Sequence, residues 1–140
     1  MRYLLDTNIF LFSVIDRDSL SRDVQAILED YENILYISME SVKELIVAYN
    51  NKKFLAKYWE SSRQMVNAIS RDFGIEVLPV DMNVMRTYAD LELDHAEDHN
   101  DPSDHVIIAQ SIATGIPLIS SDRKFPYYRQ FGLNLVYNER

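Results

Sequence analysis

The sequence predicts an α/β fold of one domain, with helices on both faces of a mostly parallel sheet, and three observations carry that prediction. Short β-branched apolar runs alternate with longer segments of helical periodicity along the chain, which is the pattern of βαβ units. Two of those runs, Tyr3-Leu4-Leu5 and residues 116–119, lead into Asp6 and Asp122, at the strand ends where open α/β sheets hold their ligands. With 140 residues, 47% of them apolar, the chain is long enough to bury one sizeable core, and residues 1–140 read as a single domain.

The elements follow in order. After the first strand, Asp6-Thr7-Asn8 turns the chain into an apolar helix containing Ile9, Phe10, Leu11 and Phe12. Ser21 is placed to cap a second helix, with Val24, Ile27 and Leu28 on one face. Ile34-Leu35-Tyr36-Ile37 forms the second strand. Ser38 then caps a helix whose Val42, Leu45, Ile46 and Tyr49 give the i, i+3, i+4, i+7 stripe, with Glu44 among them. Residues 53–73 predict a helix or helix pair carrying Phe54, Leu55, Tyr58, Trp59, Met65, Val66 and Ile69, closed by Gly74. A third strand is expected over residues 75–80, followed by a helix capped by Asp81 and an acidic, histidine-containing loop over residues 94–100. Asp101-Pro102 opens the next helix as N-cap and first helical residue, with Asp104 in position to complete a capping box. Gly115 ends that nearly all-apolar helix, and residues 116–119 and 133–137 supply the last two strands, the final one at an edge.

Composition narrows the functional classes. There is no cysteine, which removes disulfides and thiolate metal sites and suits a reducing compartment. The amino-terminal residues enter a strand without a targeting pattern, and no stretch approaches the length of a membrane span, so a cytoplasmic protein without membrane association is expected. A net charge of -8 argues against nucleic acid as a partner. Yet residues 81–104 hold eight acids against Arg86 alone, while Lys43, Lys52, Lys53, Lys57 and Arg63 form a basic stretch. The negative charge is thus local, and a bound divalent cation would invert its sign.

Four acids stand where the topology can bring them together: Asp6 and Asp122 after strands, Glu44 and Asp104 on helices that follow strands. Each has a plainer explanation alone, since Asp6 and Asp104 can cap helices and Asp122 can form a turn. Glu44 is harder to explain away, because a carboxylate among apolar neighbours is rare unless paired or metal-bound. Two carboxylates about 4 Å apart repel by roughly 4 kcal/mol at an effective dielectric near 20. A cluster of four must take up protons or cations. Oxygen donors without cysteine or paired histidine suit Mg²⁺, with Mn²⁺ as the alternative, rather than zinc. Such an ion would lower the pKa of a bound water and steady charge on a phosphate. His95 and His99 are four apart but lack the His-Glu-x-x-His order, and there is no glycine-rich phosphate loop and no nucleophile elbow.

Leu4-Leu5-Asp6-Thr7-Asn8, residues 37–44 (Ile-Ser-Met-Glu-Ser-Val-Lys-Glu), residues 99–110 (His-Asn-Asp-Pro-Ser-Asp-His-Val-Ile-Ile-Ala-Gln) and residues 117–125 occur in that order. Together they resemble the PIN-domain ribonucleases, specifically the VapC-like toxins of bacterial toxin–antitoxin pairs. The resemblance implies a three-layer αβα fold and a Mg²⁺-dependent endoribonuclease with Asp6, Glu44, Asp104 and Asp122 as its acidic quartet. It implies that Asp6, Asp104 and Asp122 hold metal, that Asn8 and Ser120 support the site, and that the partners are RNA, a cognate antitoxin and a second copy of the chain. Family members often carry Phe where Ser103 stands and Arg where His105 stands. Two other classes are open: a non-catalytic binding module on the same fold, and a metal-dependent phosphatase using Asp6 as nucleophile. Arg123, Lys124 and the stretch of Lys52, Lys53 and Lys57 are candidate phosphate contacts. Phe54, Leu55, Tyr58 and Trp59 are candidates for an apolar groove that takes an antitoxin helix.

Overall fold

Each strand of the sheet is short, and each is placed by side chains that alternate between two apolar layers. The structure is a computed structural model that describes residues 1–51 and 53–140; Lys52 and the side chains of Lys53 and Phe54 fall outside it. The strands are β1 (Arg2–Leu5), β2 (Ile34–Ser38), β3 (Glu76–Leu78), β4 (Leu118–Ser120) and β5 (Leu135–Tyr137). They form one sheet in the order β3-β2-β1-β4-β5, and every pairing is parallel rather than most of them. The first strand is therefore the central one, with Leu5 opposite Ile37 on one side and Ile119 on the other.

The period of two along β1 decides which layer each residue joins. Tyr3 and Leu5 belong to one apolar cluster with Ile9, Phe10, Val24, Leu45, Met65 and Ile69, from the helices α1 (Thr7–Ile15), α2 (Arg22–Glu29), α3 (Met39–Asn51) and α4 (Ser62–Arg71). Leu4 belongs to the opposite cluster, with Ile107 and Ile108 of α6 (Pro102–Thr114) and with Phe125 and Tyr128 of a 3₁₀ segment (Phe125–Phe131). α5 (Met82–Asp90) packs outside α6 through Val84 against Val106 and Ala109. The result is three layers, with both faces of the parallel sheet covered as the chemistry of such sheets requires.

Capping residues set the helix starts. Ser21, Ser61 and Asp81 each accept a backbone N–H from three residues on, and Asp101 accepts those of Ser103 and Asp104. Residues 53–73 divide into a 3₁₀ turn (Lys53–Lys57) and α4, because Ser61 restarts the helix. The third strand is shorter than the 75–80 run. Leu55 and Trp59 turn into the core while Tyr58 is exposed. The expected apolar groove thus loses those two residues, and Lys52 and the side chains of Lys53 and Phe54, also assigned to surface roles, lie outside what the structure describes.

Asn138 fastens the edge beyond β5. It is fully buried; its Oδ1 accepts the Ser21 N–H at 2.7 Å and its Nδ2 donates to the Ser19 carbonyl at 2.9 Å. Its own N–H donates to the Ser120 carbonyl. Among the described residues, no helix is long and apolar enough to cross a membrane.

Candidate active site

Asp6 ends the central strand and begins α1, so its side chain is held by two elements at once. Its Oδ1 accepts the Thr7 N–H at 2.8 Å, and its Oδ2 accepts the Ser120 hydroxyl at 2.7 Å. The capping role and a role in an acidic site therefore coexist in one residue. Only 5% of Asp6 is exposed. Burial pushes its carboxyl up to about 7, against the lowering pull of the Ser120 hydroxyl, and the charges of Asp104 and Glu44 add to the rise.

Ser120 is itself fully buried, and its Oγ also accepts the Asp122 N–H at 3.1 Å. It thereby links the two strand-end aspartates across the β1–β4 pairing. Asp122 turns back after β4, with Oδ1 accepting the Lys124 N–H at 2.9 Å.

Glu44 approaches from α3 and is half-buried. The Thr7 hydroxyl donates to its Oε1 at 2.7 Å and lies 2.9 Å from the Ser41 hydroxyl. Burial raises the Glu44 carboxyl, while the Thr7 hydroxyl lowers it. Thr7 thus touches the site at both ends, through its backbone to Asp6 and through its side chain to Glu44.

Asp104 comes from the first turn of α6. It does not close a capping box; its Oδ2 instead meets His99 Nε2 at 3.1 Å. Asp101 supplies the cap half of the motif by accepting the Ser103 and Asp104 N–H groups, while the Asp104 carboxyl turns to His99 instead of back to the Asp101 N–H. Burial pushes the Asp104 carboxyl up to about 8, reinforced by the charges of Asp101, Asp122 and Glu44. Asp101 keeps to the cap.

Asp6, Glu44, Asp104 and Asp122 are thus electrostatic neighbours: Asp6 is raised by Asp104 and Glu44, and Asp104 by Asp122 and Glu44. Among the described residues, no three acidic or histidine side chains stand together as a ready-made metal cage. The donor set nevertheless fits a hard cation that keeps part of its water shell and takes only one or two carboxylates directly. Burial and neighbouring acids raise both Asp6 and Asp104, and a divalent ion would supply the positive charge that opposes that rise.

Asn8 is exposed and lines a cleft of about 440 Å³ with Thr7, Glu44, Lys43 and Ser103. Ser103 and His105 have specific contacts. The Ser103 hydroxyl donates to Glu40 Oε1 at 2.8 Å, joining α6 to α3, and His105 Nε2 donates to the His99 carbonyl at 2.8 Å. Arg123 and Lys57 are exposed and Lys124 is half-buried.

Thr7, Ser41 and His99 lie in the quoted motifs without an individual role there, and Tyr128 lies outside them. Thr7 follows Asp6 directly, a signal that was available; nothing in the sequence links Tyr128 to His99.

The same fold is seen in solved structures with little sequence in common. VapBC2 from Rickettsia felis bound to a DNA fragment from their promoter aligns with a TM-score of 0.70 and 20% identity, over 99% of this chain and 100% of that one. VapBC-1 from nontypeable Haemophilus influenzae gives 0.69 and 20%, over 98% of each chain. A toxin–antitoxin complex from Klebsiella pneumoniae gives 0.61 and 20%, over 96% and 95%. No curated protein sequence matches the chain. The sequence profile of the PIN domain matches residues 3–130, which span four of the five strands and all four acids, and on that match the protein belongs to the PIN-domain family.

Proposed function

We propose that the protein is a divalent-metal-dependent endoribonuclease, with Asp6, Glu44, Asp104 and Asp122 as its catalytic acids, serving as the toxin of a toxin–antitoxin pair. One observation carries the reading: the buried Asp6 and the half-buried Asp104 have carboxyls raised to about 7 and about 8 beside further acids. Such an arrangement weakens the fold without a cation, and carboxyls so perturbed in a cleft mark a functional site. Family membership supports nuclease chemistry, and the toxin–antitoxin complexes among the structural neighbours support a protein inhibitor as partner.

Bound at Asp6, Asp104 and Asp122, Mg²⁺ or Mn²⁺ supplies Lewis acidity toward a water and the scissile phosphodiester. The chain supplies the rest. Asp6 is locked on both oxygens by Thr7 and Ser120 and offers its remaining lone pairs in one fixed direction. Glu44, half-buried at the cleft and oriented by Thr7, takes the proton of the attacking water. Asn8 lines the path of the RNA, and Arg123 and Lys124 contact its backbone phosphates. A homodimer and an antitoxin helix docked near exposed Tyr58 complete the proposed assembly.

The fixed and buried state of Asp6 weighs against its use as a phosphatase nucleophile, which needs a free oxygen aimed at phosphorus. The test is cleavage of a mixed RNA pool with added Mg²⁺, with Asp6→Asn and Asp104→Asn prepared in parallel. RNA cleavage in the wild type and its loss in both variants is the expected result. Release of phosphate from a monoester without RNA cleavage would move the assignment to the phosphatase, and neither activity would leave a binding module.

A further inference from the structure

The deepest polar cluster outside the quartet lies behind Asp104. His99 is 2% exposed and Tyr128 is fully buried. His99 Nε2 lies 3.1 Å from Asp104 Oδ2, and its Nδ1 lies 2.9 Å from the Tyr128 hydroxyl. The Asp94 N–H donates to that same hydroxyl oxygen at 3.3 Å. The ring is clamped from its sides as well, by His105 at 4.7 Å between centroids and by Phe125 at 5.9 Å. His105 also holds the His99 carbonyl. Neither the capping of α6 nor the packing of the core needs a polar chain of this kind.

The direction of the chain follows from what each group can do. The Asp94 N–H can only donate, so the Tyr128 oxygen accepts there, and its own hydrogen is free for His99 Nδ1. Nδ1 is then an acceptor. In a neutral imidazole the proton must sit on Nε2, which points at Asp104 Oδ2. With a cation at the site Asp104 is a carboxylate and can only accept, so each donor N–H or O–H in the series Asp94, Tyr128 and His99 meets an acceptor.

We propose that His99 is a positioning residue for the cation site: fixed as the Nε2–H tautomer by Tyr128, it holds one oxygen of Asp104 and leaves the other turned toward the ion. The proposal rests on the reading of Asp104 as part of a divalent-cation site. Outer groups that hold a ligating carboxylate set its geometry and its basicity, and their loss typically lowers metal affinity.

The test uses Mn²⁺ binding to the full chain, measured by electron paramagnetic resonance and calorimetry after stripping with chelator. Two substitutions separate the two ring nitrogens. His99→Gln places an amide N–H near the position of Nε2, whereas His99→Asn reaches only the position of Nδ1. We expect His99→Asn to weaken Mn²⁺ binding about 10- to 100-fold and His99→Gln to stay within about threefold of wild type. Thermal unfolding without metal identifies the folded fraction of each variant. Wild-type Mn²⁺ affinity in folded His99→Asn, with binding lost in Asp104→Asn, overturns the positioning role and leaves the site. Wild-type affinity in Asp104→Asn overturns the site itself. Should His99→Asn fail to fold, the wild type still decides. In the Mg²⁺-loaded protein, ¹⁵N shifts of the His99 ring are expected to mark Nε2 as protonated, and a protonated Nδ1 overturns the chain of donors.

Discussion

Asp6→Asn should make the metal-free protein more stable at neutral pH and less stable in acid. A free aspartate titrates near 3.8, and in the folded protein Asp6 titrates near 7. Between those values the folded state holds a proton that the unfolded chain has released, so stability falls as pH rises through the window. Above pH 7 the whole penalty stands. The displacement from 3.8 to about 7, at about 1.4 kcal/mol per pH unit, amounts to roughly 4 kcal/mol. Asparagine removes the charge and still accepts the Thr7 N–H, but it deprives the Ser120 hydroxyl of its carboxylate acceptor, an offset of about 1–2 kcal/mol. The net gain near pH 8 is about 2 kcal/mol, or a rise in Tm of about 5–8 °C. Near pH 4 only the lost hydrogen bond remains, and the variant should melt below wild type. Thermal unfolding with chelator at pH 4, 6 and 8, wild type beside variant, cancels every titration the two share. Added Mg²⁺ should then raise the wild-type Tm and leave the variant's unchanged. A Tm difference that does not vary with pH would refute the account of Asp6.

Three further outcomes follow from single contacts. Ser120→Ala removes the donor to Asp6 Oδ2 and the acceptor of the Asp122 N–H in a fully buried position; it should cost about 1.5–3 kcal/mol in denaturant titrations and slow RNA cleavage. Thr7→Val keeps the shape but strips Glu44 of the hydroxyl that lowers its pKa; the acid limb of the pH–rate profile should move to higher pH, and an unmoved limb would remove Glu44 as the base. Asp101→Ala should lower stability by about 1 kcal/mol through the lost cap of α6, and Asp101→Ser should recover most of it in the same thermal assay.

Where the sequence was informative, local rules were enough. Strand-to-aspartate junctions, the Asp101-Pro102 start and the stripe of α3 depend on neighbours within one turn or one strand, and Asp6, Glu44 and Asp104 were visible through them. Seen from its own helix alone, Asp104 serves equally as a box partner and as one of the four acids. Its actual contact, His99, is bonded in turn to Tyr128, 29 residues further on. Leu55 and Trp59 showed the same limit in reverse: among lysines they resemble surface anchors, and only the packing against α3 and α4 draws them inward. Thr7 follows Asp6 directly, which hints at a place in the site, but nothing in its local sequence reveals that α3 brings Glu44 to its hydroxyl.

The order of the strands has a consequence for the life of the chain on the ribosome. β1 is synthesised first and sits at the centre of the sheet, but its second neighbour is β4, and the bond that joins their aspartate regions spans 114 residues. Until β4 emerges, β1 presents an unpaired edge beside β2, the kind of edge that recruits other chains. Asp6 meanwhile lacks Ser120, and Asp122 has yet to be made. Fastening by Asn138, which ties the last strand back to residues 19 and 21, comes later still. The half-made chain thus lacks its assembled acidic site and is vulnerable to aggregation, and both conditions end together when the sheet closes.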